Sequence, residues 1–187
     1  MQVPSLSISR RTRKTPFSRR VQEAGVKAYT VYNHMLLPTV FESVEEDYKH
    51  LKSKVQIWDV SCERQVELWG PDAGRLAQML TPRDLSDMAL NRCYYTPMVD
   101  ETGGMLNDPV TTKLAEDKYW VSVADSDLLF WIKGLAHAFR LEVDVDEPDV
   151  SPFAIQGPKA EDLVARVFGE RIRSIRFFHY DYVEFEG

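Results

Sequence analysis

Apolar positions recur along this chain with two different periods. Over residues 43–54 the sequence is charged, and Val44, Tyr48, Leu51 and Val55 return at helical spacing, which predicts a surface helix with one buried stripe. Over 62–68, Arg64, Val66 and Leu68 alternate with Glu63, Gln65 and Glu67, the pattern of a strand with two unlike faces. Gly70-Pro71 ends that strand. Pro71, placed at the first helical position, opens a helix over 72–80 that turns Ala73, Leu76, Ala77 and Leu80 inward. Further strands are predicted at 93–99, 110–114, 119–124 and 141–145, with a helix at 126–139. The turn Asp100-Glu101-Thr102-Gly103-Gly104 supplies the positive φ that a hairpin between two of these strands requires.

One unit occurs twice. Glu67-Leu68-Trp69-Gly70-Pro71-Asp72-Ala73, followed by Leu76 and Leu80, recurs 87 residues later as Ala154-Ile155-Gln156-Gly157-Pro158-Lys159-Ala160, followed by Leu163 and Val167. Two copies at that spacing suggest two α+β lobes of similar build, although Gly-Pro is also simply a good strand-to-helix turn. The segment 177–185 alternates like a strand and stops at Gly187 without partner or cap. The expectation is therefore an N-terminal piece of something longer, with an open apolar edge that favours homo-oligomers.

Composition narrows the class. With 187 residues, 44% apolar and 28% charged, the chain has the make-up of a globular protein, and no apolar run approaches the length of a membrane span. Its two cysteines, Cys62 and Cys93, are too few for a disulfide framework, so the cytoplasm is the expected compartment. Charge is uneven: Arg10, Arg11, Arg13, Lys14, Arg19 and Arg20 make the first twenty residues basic, leaving 17 of the 23 Lys and Arg against all 29 acids in the rest. An acidic body repels phosphates and no recognition-helix pattern follows, so neither nucleic acid nor membrane is an expected partner. The arm is expected to lie on its own body.

Candidate chemistry is sparse. His34, His50, His137 and His179 lie too far apart in sequence for a helical metal pair, and no zinc-type Cys/His spacing occurs, so no metal is expected. There is no GxSxG elbow, P-loop or GxGxxG. Tyr94-Tyr95 and Tyr119-Trp120 fall on predicted strands, so one ring of each pair faces the core and the other faces out, where it can stack on a flat heterocycle.

Trp58-Asp59-Val60-Ser61, then Gly70-Pro71-Asp72-Ala73, then Tyr95 ahead of Gly103-Gly104-Met105-Leu106-Asn107-Asp108, resembles the folate-binding half of the glycine-cleavage T-protein family of tetrahydrofolate-dependent aminomethyltransferases and demethylases. Within it, Ser7-Ile8-Ser9-Arg10-Arg11, the run from Tyr29 to Pro38, Arg92-Cys93-Tyr94-Tyr95 and Ala124-Asp125-Ser126-Asp127 are similar to the dimethylsulfoniopropionate demethylases. The resemblance implies an α+β chain forming the N-terminal part of a three-lobed fold, mostly antiparallel sheets with flanking helices. Residues 1–48 would be an arm and the start of the folate-binding lobe, 49–146 an α+β lobe, and 147–187 the return to the first lobe.

It further implies tetrahydrofolate as methyl acceptor, held by Tyr95, Asn107, Asp108 and Ser122, and a small sulfonium substrate near Tyr32 and Met35. The catalytic residues are left unassigned, and the 187-residue chain alone is expected to be inactive. The family usually has Asp-Asp where this chain has Asn107-Asp108, and commonly Asn where it has Ala124. Expelling an amine and building a methylene bridge needs a carboxylate to manage protons. A sulfonium methyl already carries a neutral leaving group and needs mainly in-line alignment, so Asn107 favours sulfonium demethylation over the alternative, aminomethyl transfer or N-demethylation.

Overall fold

The computed structural model describes residues 9–185. Helix α1 (Ser18–Glu23) leads into a hairpin of β1 (Ala28–Tyr32) and β2 (Met35–Val40), followed by α2 (Val44–Ser53), β3 (Gln56–Asp59), β4 (Gln65–Trp69) and α3 (Ala73–Leu80). Next come β5 (Cys93–Tyr95), β6 (Met98–Val99), β7 (Met105–Asn107), β8 (Val110–Ala115), β9 (Lys118–Ser122) and α4 (Leu128–Ala138). The chain continues through β10 (Asp144–Asp146), β11 (Phe153–Gln156), α5 (Ala160–Phe168) and a 3-10 turn, Glu170–Ser174.

Five strands form an antiparallel sheet in the order β10-β4-β9-β8-β5. Directly opposed residues share a face, so register sorts the side chains. Val66 lies opposite Val121, which lies opposite Thr111, and Leu68 lies opposite Tyr119. That face packs beneath α3 and α4, whose Leu76, Leu80, Leu128 and Ile132 complete a single core. The reverse face carries a row running Gln65, Ser122, Val110, Tyr95 across β4, β9, β8 and β5, and beside it a second row of Glu67, Trp120, Thr112 and Cys93. Its middle positions are half-buried and Tyr95 is 42% exposed.

The repeated unit is structural. Gly70 (φ +138°) and Gly157 (φ +119°) both occupy the region that favours glycine, and a Cβ on either would strike a backbone carbonyl, that of Glu142 or Lys54. The Asp72 amide donates to the Glu142 carbonyl at 3.1 Å, and the Lys159 amide donates to the Lys54 carbonyl at 3.2 Å. Each Gly-Pro turn is thus clamped by the segment leading into the strand that pairs with its own, β10 beside β4 and β3 beside β11.

Several expectations are corrected. The strand predicted over 93–99 is two strands in different sheets, because Pro97 has no amide to donate and the fully buried Thr96 turns inward, its hydroxyl 2.6 Å from that of Thr111. Pro71 lies in the turn before α3 rather than at its first position. The α2 helix forms, capped by Ser43, whose hydroxyl accepts from the Glu46 amide at 3.1 Å, but Val44 and Tyr48 stand exposed and no α2 residue is buried. Periodicity shows which face seeks cover, not that the chain supplies it. Residues 177–185 form no strand: Phe178 takes a positive φ of 56°, and one bridge joins His179 to Arg92. The Cys93 amide donates to the Phe178 carbonyl and the Tyr180 hydroxyl to the Lys113 carbonyl, so the tail seals the β5 edge.

Candidate functional site

Tyr95, Ser122 and Asp108 converge on the sheet face away from the core. Tyr95 and Ser122 both oppose Val110, from either side, which sets them on that one face. The Tyr95 hydroxyl donates to Asp108 Oδ2 at 2.6 Å, and this bond, first among its causes, raises the phenol above its ordinary pKa. The ring is fixed at its polar end and open along its side. Ser122 donates to Gln65 Oε1 at 2.6 Å. At the same strand end the exposed Arg83 donates to the Tyr95 carbonyl at 2.9 Å and lies 4.2 Å from the Tyr94 ring centroid. Tyr94 packs against the core, so the outward ring of the pair is Tyr95, as alternation predicts.

Asn107 lies elsewhere in the pairing. The glycine hairpin sets it opposite Met98, not Tyr95, and its side chain is 6% exposed. Its Nδ2 donates to Ser126 Oγ at 2.8 Å and to the Ala124 carbonyl at 3.4 Å, while its Oδ1 accepts from the Ala124 amide at 3.1 Å. Both ends of the amide therefore serve to hold the loop at 124–126. An aspartate there would lose the donors, which accounts for the amide without reference to any ligand.

Tyr32 and Met35 flank the tip of the β1–β2 hairpin. Asn33 and His34 between them take φ values of +47° and +61°, the left-handed pair that closes a two-residue hairpin. Met35 is buried, whereas Tyr32 is half-buried, its phenol raised chiefly by burial. The sequence reading missed Asn33. Its amide accepts from the Ser126 backbone at 2.9 Å and donates to the Cys62 carbonyl at 2.9 Å, and its own backbone N–H donates to Asp125 at 2.7 Å. The signal was present in an Asn-led pair between two apolar runs. Through residues 124–126, Asn33 ties the hairpin to Asn107.

Cys62 is not poised for nucleophilic chemistry. Cys62 is fully buried, and burial chiefly, with the Glu63 charge second, pushes its thiol up to about 11. Among the described residues no three His, Cys, Asp or Glu side chains converge as a metal site, and no helix is long and apolar enough to cross a membrane. The basic arm does touch its own body: Arg13 pairs with Glu147 at 2.8 Å, and Thr15 donates to Asp59.

This architecture is shared. Residues 17–187 match the family described as the GCVT N-terminal domain, and the chain belongs to that family. A solved structure, the glycine cleavage system aminomethyltransferase T from Bartonella henselae, superposes with a TM-score of 0.80 at 20% identity over 90% of this chain and 46% of that one, which supports the mixed fold of helices and antiparallel sheet. The chain is 60% identical over 183 residues to the dimethylsulfoniopropionate demethylase DmdA of Ruegeria pomeroyi. That match takes in 98% of this chain, which spans about half the length of that relative.

Proposed function

We propose that the chain is the folate-handling part of a tetrahydrofolate-dependent methyltransferase that demethylates dimethylsulfoniopropionate, giving methylmercaptopropionate and 5-methyltetrahydrofolate. The observation that carries this reading is the 60% identity to a demethylase of that substrate over nearly the whole chain. A flat heterocycle suits the reverse sheet face, where an exposed ring anchored by Asp108 lies across Val110 from the polar groups of Ser122 and Gln65. Bound tetrahydrofolate supplies a nucleophilic nitrogen that accepts the methyl group as the thioether departs.

In this reading the chain's own residues position. Tyr95 offers its ring and Asp108 keeps that ring's hydroxyl fixed. Ser122 orients a polar edge, its hydroxyl set by Gln65. Asn107 acts one step back by holding residues 124–126, and through Asn33 the same loop fixes the hairpin that carries Tyr32. Tyr32 presents an aromatic surface suited to a sulfonium cation, a contact worth about 0.5–2 kcal/mol. Met35, buried, lies directly opposite Tyr32 in the hairpin register and so beside it on the same face. Alignment of donor and acceptor is the main demand of such a transfer, and a loop held from both sides answers it.

The alternative, aminomethyl transfer or N-demethylation, is disfavoured by Asn107, which offers no carboxylate at that position. A chimera decides between them: this chain joined to the half of the Ruegeria pomeroyi relative that it does not span, supplied with tetrahydrofolate and a panel of sulfonium and N-methyl substrates. Formation of 5-methyltetrahydrofolate from dimethylsulfoniopropionate alone is expected. Turnover of N-methyl or aminomethyl substrates instead would overturn the proposal.

A further inference from the structure

Helix α4 has no polar face. Its 11 residues include only two polar side chains, Lys133 and His137, whereas α2 and α5 each carry a charged side. One side of α4 seals the core through Leu128, Ile132 and Ala136. The opposite side, by helical spacing, is Phe130, Gly134 and Ala138, with Trp131 beside them. All four are exposed, Phe130 to 69% and Trp131 to 41%. A helix apolar all round is ordinarily one that is covered all round. Gly134 sharpens the point. A glycine inside a helix costs about 1 kcal/mol relative to alanine, and a Cβ at Gly134 would meet nothing, so no packing within this chain explains it. Close approach by a second backbone does.

The pattern complements itself when reversed. About Gly134, bulky Phe130 and Trp131 lie toward the N-terminal end and small Ala138 toward the C-terminal end. Exposed Asp127 stands at the first end and exposed Arg140 at the other. Two copies laid antiparallel, with a two-fold axis at Gly134, therefore set large against small and acid against arginine, with their helix dipoles opposed. Counting outward from that axis, Phe130 falls level with Ala138, and Asp127 with Leu141, next to Arg140. We propose that this face of α4 is an isologous interface between two copies of this chain, crossing at Gly134. A single helix pair lies at the small end of specific interfaces, so the dimer is weak, with a Kd on the order of 10–100 µM, and dilute chain is monomeric. The inference is independent of the methyl-transfer reading.

Sedimentation equilibrium of the 187-residue chain, at concentrations on either side of that range, should show monomer passing into dimer. Gly134→Glu, which the open site tolerates, sets two carboxylates at the axis and should weaken the association at least about tenfold. Val167→Asp, on a different exposed apolar face, should leave it unchanged. Under mild oxidation Gly134→Cys should cross-link to its own copy, because the facing backbones come within disulfide reach. Ala138→Cys should not, since its two copies lie about 12 Å apart along the helix direction. A monomer throughout, association untouched by Gly134→Glu, or cross-linking through Ala138→Cys would overturn the proposal. So would loss of self-association when the chain is joined to the half of the Ruegeria pomeroyi relative that it does not span, which would make that half the cover of α4.

Discussion

Replacing Asn107 by Asp swaps a buried amide for a carboxylate of nearly the same shape, so the effect is chemical rather than steric. The two Nδ2 donations, to Ser126 Oγ at 2.8 Å and to the Ala124 carbonyl at 3.4 Å, disappear. Each such bond contributes about 0.5–1.5 kcal/mol net, the longer one at the low end, and an ionised oxygen facing a carbonyl adds repulsion and desolvation, for a total of about 2–4 kcal/mol at neutral pH. The side chain is 6% exposed, so burial raises the introduced carboxyl in the folded state above its unfolded value of about 3.9. The folded state then holds its proton more tightly than the unfolded state. The deficit is therefore smallest below pH of about 4, where a protonated carboxyl restores one donor, and grows as pH rises through the folded value. Urea denaturation of both proteins across that range measures it. An Asp variant as stable as the parent at neutral pH, or a deficit independent of pH, would refute the assignment of this amide to the loop.

Gly157→Ala should destabilise by about 3 kcal/mol or more, since it combines a φ of +119° with a Cβ driven into the Lys54 carbonyl, whereas Gly134→Ala, in open space on α4, should stabilise by about 0.5–1 kcal/mol; thermal melts distinguish them. Arg140 ends α4 at φ +51°, with the Leu141 amide returning to the Ala136 carbonyl at 3.0 Å, so Arg140→Gly should add about 0.5–1 kcal/mol and raise Tm by a few degrees. Asp108→Asn removes the carboxylate charge beside the Tyr95 hydroxyl and leaves only a neutral amide acceptor, so the phenol should titrate at lower pH than in the parent, measured by the ultraviolet absorbance of its phenolate.

Local chemistry made β4, α3 and the glycine hairpin legible in the sequence. Alternation fixed which of Val66 and Gln65 meets the helices, and Gly103 at φ +82° closes the turn where Gly-Gly stood. What escaped depends on partners distant along the chain. Nothing within 93–99 reveals that Thr96 will seek Thr111 and split the strand, and the alternation at 177–185 gives no sign that the tail will serve as an edge seal. Tyr95 and Asn107 were both expected at the folate site, with the glycine turn between them in sequence. The register instead gives Tyr95 to Val110 and Asn107 to Met98, a result decided by β8 rather than by the turn. The α2 stripe was read correctly as a helix face and wrongly as a buried one, because burial belongs to whatever packs on it.

The reverse face of the five-stranded sheet is the surface on which the proposed chemistry rests, and a titration of the isotopically labelled 187-residue chain with tetrahydrofolate, followed by nuclear magnetic resonance, addresses it directly. Saturable shifts should concentrate on the row Gln65, Ser122, Val110 and Tyr95 and on Asp108, with the core-facing amides of Val66, Val121 and Thr111 little changed. Shifts confined to α2, or none at concentrations that saturate the Ruegeria pomeroyi relative, would contradict the folate-handling role.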